Sequence, residues 1–419
     1  EEIKKPSGDV VSESSSENVH VVEEVKEQRT EFTKQFKLSN GLHLAAVYAE
    51  PVHYEKDGHW LEIDNTLKVS GSGLNACYAN TAGVWDVFFP QLLNGSSAVS
   101  ITKDGYSLSF HMSGELRLSA NESVMSASKQ AETFSLSPMR QSSAQLQEVD
   151  LAKAKAEAEY PETVYERGHS CLQYSNVYEN TNIVYDLHGN QLKESIVMGK
   201  YDEALRGYRY TLSVDGLTPV LGEDGQILLY AEGTEDVVMV MPAPYLVDAA
   251  GEYCYDVTVS LTPNGNAYTL SYVLPSKWIA SEDRQWPVIL DPVVEADLDI
   301  NNILDATVAS YGNKEPYTDG SIECGFNSTY GIRRFFLMYK DLPVLSSADV
   351  IVSASVRLYK CMTSNSQRLV TIHKLHNTWT SSTVTWSNYF GSDPNSNHDT
   401  TVEDYLYVQN EGYYTWDIT

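Results

Sequence analysis

The side chains abundant enough to build a site in this 419-residue sequence are aromatic and acidic: 28 Tyr, 7 Trp, and 57 Asp plus Glu against 29 Lys plus Arg. Aromatic faces stack on the apolar faces of pyranose rings, while neighbouring polar groups fix the orientation of such a ligand. Tyr311, Tyr317 and Tyr389 lie in turn-rich stretches that favour exposed rings, and Trp386 shares an expected strand face with Val384. These four are the candidate stacking residues. Packing in a core is the competing role for each, most of all for Trp386 and for Trp379, which precedes a Ser381-Ser382 turn.

Acidic residues offer two further chemistries. Asp297, Asp299 and Asp305 cluster near the start of the last segment, and Asp417 lies at its end. Carboxylate and carbonyl oxygens so placed are the donor set of a structural Ca²⁺, although the DxDxDG loop spacing is absent. No other cofactor is expected. A carboxylate pair for glycoside cleavage is made by the fold rather than by sequence spacing, so an acidic composition is no evidence of hydrolysis.

Other catalytic patterns are missing. The sequence holds no GxSxG, no HExxH and no Gly-rich phosphate loop. His373 and His376 are three apart on an expected strand and its end, which puts them on opposite faces and makes them a poor metal pair. Cys77, Cys171, Cys254, Cys324 and Cys361 form no CxxC. Their odd number excludes a dense disulfide framework; Cys324 and Cys361 could bridge within the last unit, but buried free thiols are expected. A non-catalytic protein is expected.

The formal charge of −28, with no basic cluster longer than Arg333-Arg334, argues against nucleic acid as a partner. No stretch reaches the roughly 18–20 apolar residues of a membrane span. The chain opens on Glu1-Glu2 without Met or signal-like residues and reads as a mature or excised segment.

The elements that must position these residues are mainly strands. Residues 1–31 are polar, with the run Ser12-Glu13-Ser14-Ser15-Ser16-Glu17, and are expected to be a disordered leader. Residues 32–140 form a first β domain, with turn pairs at Asn40-Gly41, Asp57-Gly58, Asn94-Gly95 and Asp104-Gly105. Residues 141–161 are rich in Ala, Lys, Glu and Leu and predict a helical linker ended by Pro161. Residues 162–292 form a second β domain, where Tyr208, Tyr210, Leu212 and Val214 alternate and Asp224-Gly225 and Asn264-Gly265 supply turns. Residues 293–419 form a third unit, whose clearest strand carries Val350, Val352, Ala354, Val356 and Leu358 on one face, with 333–340 and 368–375 as neighbours. Short antiparallel strands of this kind imply a sandwich or jelly roll.

Within the third unit the order Asp305-Ala306-Thr307-Val308, Tyr311-Gly312-Asn313, Arg333-Arg334-Phe335-Phe336-Leu337, Ser353-Ala354-Ser355-Val356-Arg357-Leu358-Tyr359, Thr378-Trp379-Thr380, Val384-Thr385-Trp386-Ser387-Asn388 and Trp416-Asp417-Ile418-Thr419 resembles the DNRLRE family. That family is grouped with carbohydrate-binding modules of β-sandwich form. Its members continue beyond the Asp-Ile-Thr at which this segment stops, so an incomplete module is expected. Upstream, Gly58-His59-Trp60, Ile63-Asp64-Asn65-Thr66-Leu67, Asn182-Ile183-Val184-Tyr185 and Trp286-Pro287-Val288-Ile289-Leu290-Asp291-Pro292 resemble the N-terminal regions of Rhs-like, wall-associated surface proteins.

The resemblance implies a secreted or cell-surface bacterial protein whose last module binds a polysaccharide or another cell-envelope component. The alternatives are a structural N-terminal scaffold of an Rhs-like toxin, ahead of downstream repeats, and a polysaccharide-degrading enzyme.

Overall fold

The computed structural model describes residues 19–72, 76–118, 134–147, 168–297, 302–311, 322–361 and 364–419. Among them the chain is mainly β, with antiparallel pairing and two short α-helices, Ser276–Ile279 and Trp386–Tyr389. None of the helices is long and apolar enough to cross a membrane.

Turn pairs fold where local chemistry requires. Asp57 and Gly58 have φ of +54° and +76°, and Asp104 and Gly105 have φ of +52° and +88°. Two successive positive φ values are the geometry that lets a two-residue loop follow the right-handed twist of its strands. The first pair joins His53–Lys56 to His59–Glu62, and the second joins Val99–Lys103 to Tyr106–Leu118.

The chain divides into two compact units, one of residues 29–31 and 50–300 and the other of residues 1–28, 32–49 and 301–419. The larger unit holds two extensive sheets. The first runs in the order Thr258–Asn264, Ala267–Val273, Leu205–Asp215, Tyr106–Leu118, Val99–Lys103, Asp86–Pro90, Cys77–Ala79, Lys68–Ser70, with Phe134–Ser137 beside Tyr106–Leu118. The second includes Ile227–Ala231, Val237–Met241, Val293–Glu295, Gln191–Met198, Thr181–His188, His169–Tyr178 and Ser142–Gln147. Alternate residues of both sheets, such as Leu108, Phe110 and Leu212 from the first and Leu172, Ile183 and Ile196 from the second, close on one core. Each such side chain contributes about 1.5–3 kcal/mol by leaving water.

The two separately expected β domains are therefore one. Tyr106–Leu118 pairs with Leu205–Asp215 along ten residue pairs, from Ser107↔Asp215 to Arg117↔Leu205. Period-two alternation shows that a strand has a buried face but does not name its partner, so one sheet read as two. The boundary at 292 also moves, because Val293–Glu295 pairs with Gln191–Met198 in the second sheet.

Three local expectations are corrected as well. Ser142–Gln147, expected as helix, is a strand paired with His169–Tyr178; the ladder outweighs the modest helix preference of Ala and Gln. The rest of the expected linker lies outside the described residues. Val21–Glu24, within the expected disordered leader, pairs with Thr33–Leu38, and residues 1–18 lie outside the described residues. Finally, the strand expected from Val350 begins only at Ser355, because its partner Gly412–Asp417 reaches it from there on. Val350 is 81 % exposed and Val352 is exposed too. Neither expected neighbour flanks it: Arg368–Ile372 pairs with Asp404–Val408, and Gly331–Tyr339 pairs with Ile303–Ala309.

The smaller unit draws residues 32–49 together with residues from 302 onward. Fully buried Asn302 takes the hydrogen bonds that do this. Its amide Nδ2 donates to the carbonyls of Tyr48 (3.2 Å) and Asp341 (2.9 Å), its Oδ1 accepts from the Asp341 N–H (2.6 Å), and its own N–H donates to the Ala49 carbonyl (2.7 Å).

Between the two sheets of the larger unit, Glu194 accepts hydrogen bonds from the hydroxyls of Tyr185 (2.5 Å) and Tyr210 (2.9 Å). Burial pushes its carboxyl up to about 7, with the nearby Asp291 adding to the rise, although the two hydroxyls oppose it. A folded-state value above the unfolded 4.5 means that the stabilisation is fully present below pH 4.5 and is lost as pH rises through about 7. The loss should be on the order of 3 kcal/mol. Chemical denaturation between pH 4.5 and 8.5 should show this decline, and Glu194→Gln should flatten it. An unchanged slope in the variant would assign the decline to other groups.

Candidate functional site

The candidate stacking residues meet different fates. Phe336, from the strand Gly331–Tyr339, points into a small core with Ala306, Val308, Val384, Trp386, Tyr389 and Phe390. Its ring lies 4.7 Å from that of Tyr389, 5.5 Å from Trp379 and 5.7 Å from Phe390. Tyr389 is buried, and its hydroxyl reaches the carbonyls of Asn377 (3.2 Å) and Asn397 (3.1 Å). Trp386 is buried too, 4.8 Å from Phe390, with the Arg334 guanidinium 5.4 Å from its ring centre. Neither ring offers a face to a ligand, so both are corrected from binding candidates to core residues.

The reason is local. Residues 384–386 are not a strand; Trp386–Tyr389 is one helical turn. Thr385 caps it, its hydroxyl accepting from the Asn388 N–H (3.2 Å) while the Asn388 side chain accepts from the Thr385 N–H (2.8 Å). That reciprocal cap turns Trp386, Tyr389 and Phe390 inward together. Arg334 covers the cluster from the sheet side, its guanidinium 4.8 Å from the Phe390 ring and its Nη1 donating to the Pro394 carbonyl (2.6 Å). Burial lowers its affinity for its proton.

Tyr311 is different. It follows the strand Ile303–Ala309 and is 55 % exposed. Its N–H donates to the Tyr330 carbonyl (3.0 Å), and Ser310 bonds the Ile332 backbone in both directions. Gly331 has φ +72°, and a Cβ there would lie 2.8 Å from the Tyr311 Cγ. Glycine thus lets the Tyr311 ring lie close over the chain. Tyr317 lies outside the described residues.

Two further exposed rings of this sheet escaped the sequence reading. Phe326, on the edge strand Gly325–Asn327, is 69 % exposed and pairs with Ile332. Tyr330 is exposed, with the Arg333 guanidinium 5.6 Å from its ring centre, and Arg333 is ion-paired with Glu323. Tyr311 and Tyr330 thus lie near a guanidinium–carboxylate pair, whereas Phe326, opposite Ile332, lies on the other face of the sheet from Arg333. Ring faces take the C–H side of a sugar, and the charged pair offers donors and acceptors to hydroxyls. The Tyr330-Gly331 turn was the sequence signal available, but it gained meaning only once Tyr311 was placed against it.

The acidic residues proposed for calcium do not converge visibly. Asp305 lies on Ile303–Ala309, Asp417 accepts from the Thr419 N–H (2.9 Å), and Asp299 lies outside the described residues. Among the described residues no three His, Cys, Asp or Glu side chains are arranged to hold a metal ion. His373 packs against His398 at 5.2 Å, whereas His376 pairs with Asp399 at 2.7 Å. All five cysteines are free, but only Cys254 is buried, and Cys324 and Cys361 are exposed.

Residues 297–419 match the model of Carbohydrate-binding module family 96. The chain is also similar to a wall-associated protein of Geobacillus stearothermophilus, at 23 % identity over 228 residues covering 54 % of this chain and 75 % of that protein. No solved structure matches the chain.

Trp386→Ala should cost about 3–5 kcal/mol of stability, as expected for deleting a packed tryptophan. Calorimetry of the full chain should show an early transition. A variant as stable as the parent would return Trp386 to the list of binding residues.

Proposed function

We propose that this chain is a non-catalytic, secreted or cell-surface protein whose residues 297–419 bind a polysaccharide or a related cell-envelope component. The observation that carries the reading is the match of residues 297–419 to a carbohydrate-binding family. The exposed Tyr311, Phe326 and Tyr330 on the same segment support it. In this reading Tyr311 is the principal stacking ring, Tyr330 extends the platform, and Arg333 and Glu323 hydrogen-bond the hydroxyls. Tyr317 belongs to the same proposal by its place in the sequence. A structural calcium held by the acidic ends of the module is a further part of it.

Similarity to a wall-associated protein supports the surface location. It also favours a second reading, in which residues 50–300 form a rigid scaffold ahead of Rhs-like repeats with no ligand of their own. Hydrolysis has less support. Glu194 has the raised carboxyl pKa of a general acid, but it is buried between two tyrosines where no glycosidic bond can reach it.

A glycan array probed with the intact chain should give saturable binding. Tyr311→Ala should weaken it at least tenfold, about 1.4 kcal/mol, without altering the unfolding temperature. A folded chain that binds no glycan would refute the function, and undiminished binding by the variant would refute the assignment of Tyr311.

A further inference from the structure

The larger unit carries a second group of aromatic residues, far in sequence from the family match. Tyr245–Asp248 and Tyr253–Cys254 are adjacent strands, with Leu246 opposite Cys254 and Val247 opposite Tyr253. Tyr253 and Tyr255 are two residues apart, so an extended chain turns both to one side. Their rings are parallel to within 8°, with centres 6.2 Å apart. Tyr245 joins them, its centre 5.5 Å from Tyr253 and 6.1 Å from Tyr255. Tyr253 is 41 % exposed and Tyr255 is 53 % exposed.

Polar groups line one side of this triad. Lys193 Nζ lies 5.9 Å from the centre of the Tyr245 ring and donates to the Tyr245 hydroxyl (3.4 Å). It is also ion-paired at 2.7 Å with Asp291, whose carboxylate is buried and also accepts from Ser195 Oγ (3.4 Å). The lysine's charge is thus balanced locally, so the site has no excess charge to attract an anion. An ammonium group has three N–H donors, and these two contacts use two of them.

The hairpin that carries the rings is fixed in advance. The buried carboxylate of Asp248 accepts from the N–H groups of Ala250 (2.9 Å), Glu252 (3.0 Å) and Gln285 (3.1 Å) and from Arg284 Nη1 (2.7 Å). Arg284 itself lies 3.6 Å over the Trp278 ring. A ligand that met these rings would have little ordering left to impose.

We infer that Tyr245, Tyr253 and Tyr255, with Lys193 at their rim, form a second carbohydrate site, one that takes a neutral pyranose oligosaccharide. The outward ring faces of the triad receive C–H faces of the sugar chain, and the lysine and tyrosine hydroxyls hydrogen-bond its oxygens. Clustered exposed aromatics with a polar rim are the surface feature by which ligand sites differ from ordinary protein surface. The inference shares only its ligand class with the reading of residues 297–419 and stands apart from Tyr311.

The test uses the full chain labelled with 3-fluorotyrosine, with the Tyr253 and Tyr255 signals assigned by Tyr→Phe variants. A soluble oligosaccharide from each of β-glucan, xylan, chitin and mannan is titrated by ¹⁹F NMR into the parent and into Tyr311→Ala. At least one should shift the Tyr253 and Tyr255 signals saturably in both proteins. Tyr255→Ala should weaken that binding at least tenfold, while Tyr255→Phe, which keeps the ring face, should restore it to within threefold. Failure of all four sugars to move these signals in the folded chain would overturn the second site. Equal binding by Tyr255→Ala and the parent would overturn it too. Loss of both signals' response in Tyr311→Ala would likewise count against an independent site.

Discussion

The pairing of Tyr106–Leu118 with Leu205–Asp215 is the contact on which the larger unit depends. It joins segments about a hundred residues apart, so forming it carries a loop-closure cost that only the burial on both sides can offset. Once formed, it sets the register of Val99–Lys103 on one side and Ala267–Val273 on the other. It also puts Phe110, Met112, Tyr208 and Tyr210 on the face that meets the second sheet. The many tyrosines serve this interface. Tyr178 of one sheet packs against Tyr208 of the other at 6.3 Å, and Phe89 against Tyr185 at 5.4 Å.

Features fixed by neighbouring residues were legible in the sequence, while those fixed by distant ones were not. Asp57-Gly58, Asp104-Gly105 and Asn264-Gly265 turn where their chemistry says they should, and the strands they join follow. Ser142–Gln147 misled because its composition describes an isolated peptide, whereas its conformation answers to His169–Tyr178. The division into domains misled for the same reason. Alternation in Tyr208, Tyr210 and Leu212 reveals a buried face, but nothing near them points to residues 106–118 as the partner.

The candidate site shows the same limit at finer scale. Tyr311 and Tyr389 both sit among turn-forming residues, and both read as surface rings. Tyr311 is exposed because Gly331 lets it lie over the chain's outer side; Tyr389 is buried because Phe336, some fifty residues earlier, reaches across to cover it. The cap by Thr385 and Asn388 was a local signal for a helical turn at Trp386, since a threonine followed three residues later by a side-chain acceptor marks such a start. Aromatics therefore divide by geometry. Those beside the capped turn build a small core, and those on open turns stay exposed.

The hydrogen bonds of Asn302 have a mechanical consequence. They tie residues 48–49 to residues 302 and 341, so the 250 or so residues between form an excursion from one unit rather than a link in series with it. Tension between residue 32 and residue 419 is then carried by the Asn302 contacts and by the strands around them. While those contacts hold, the inserted sheets bear none of the load.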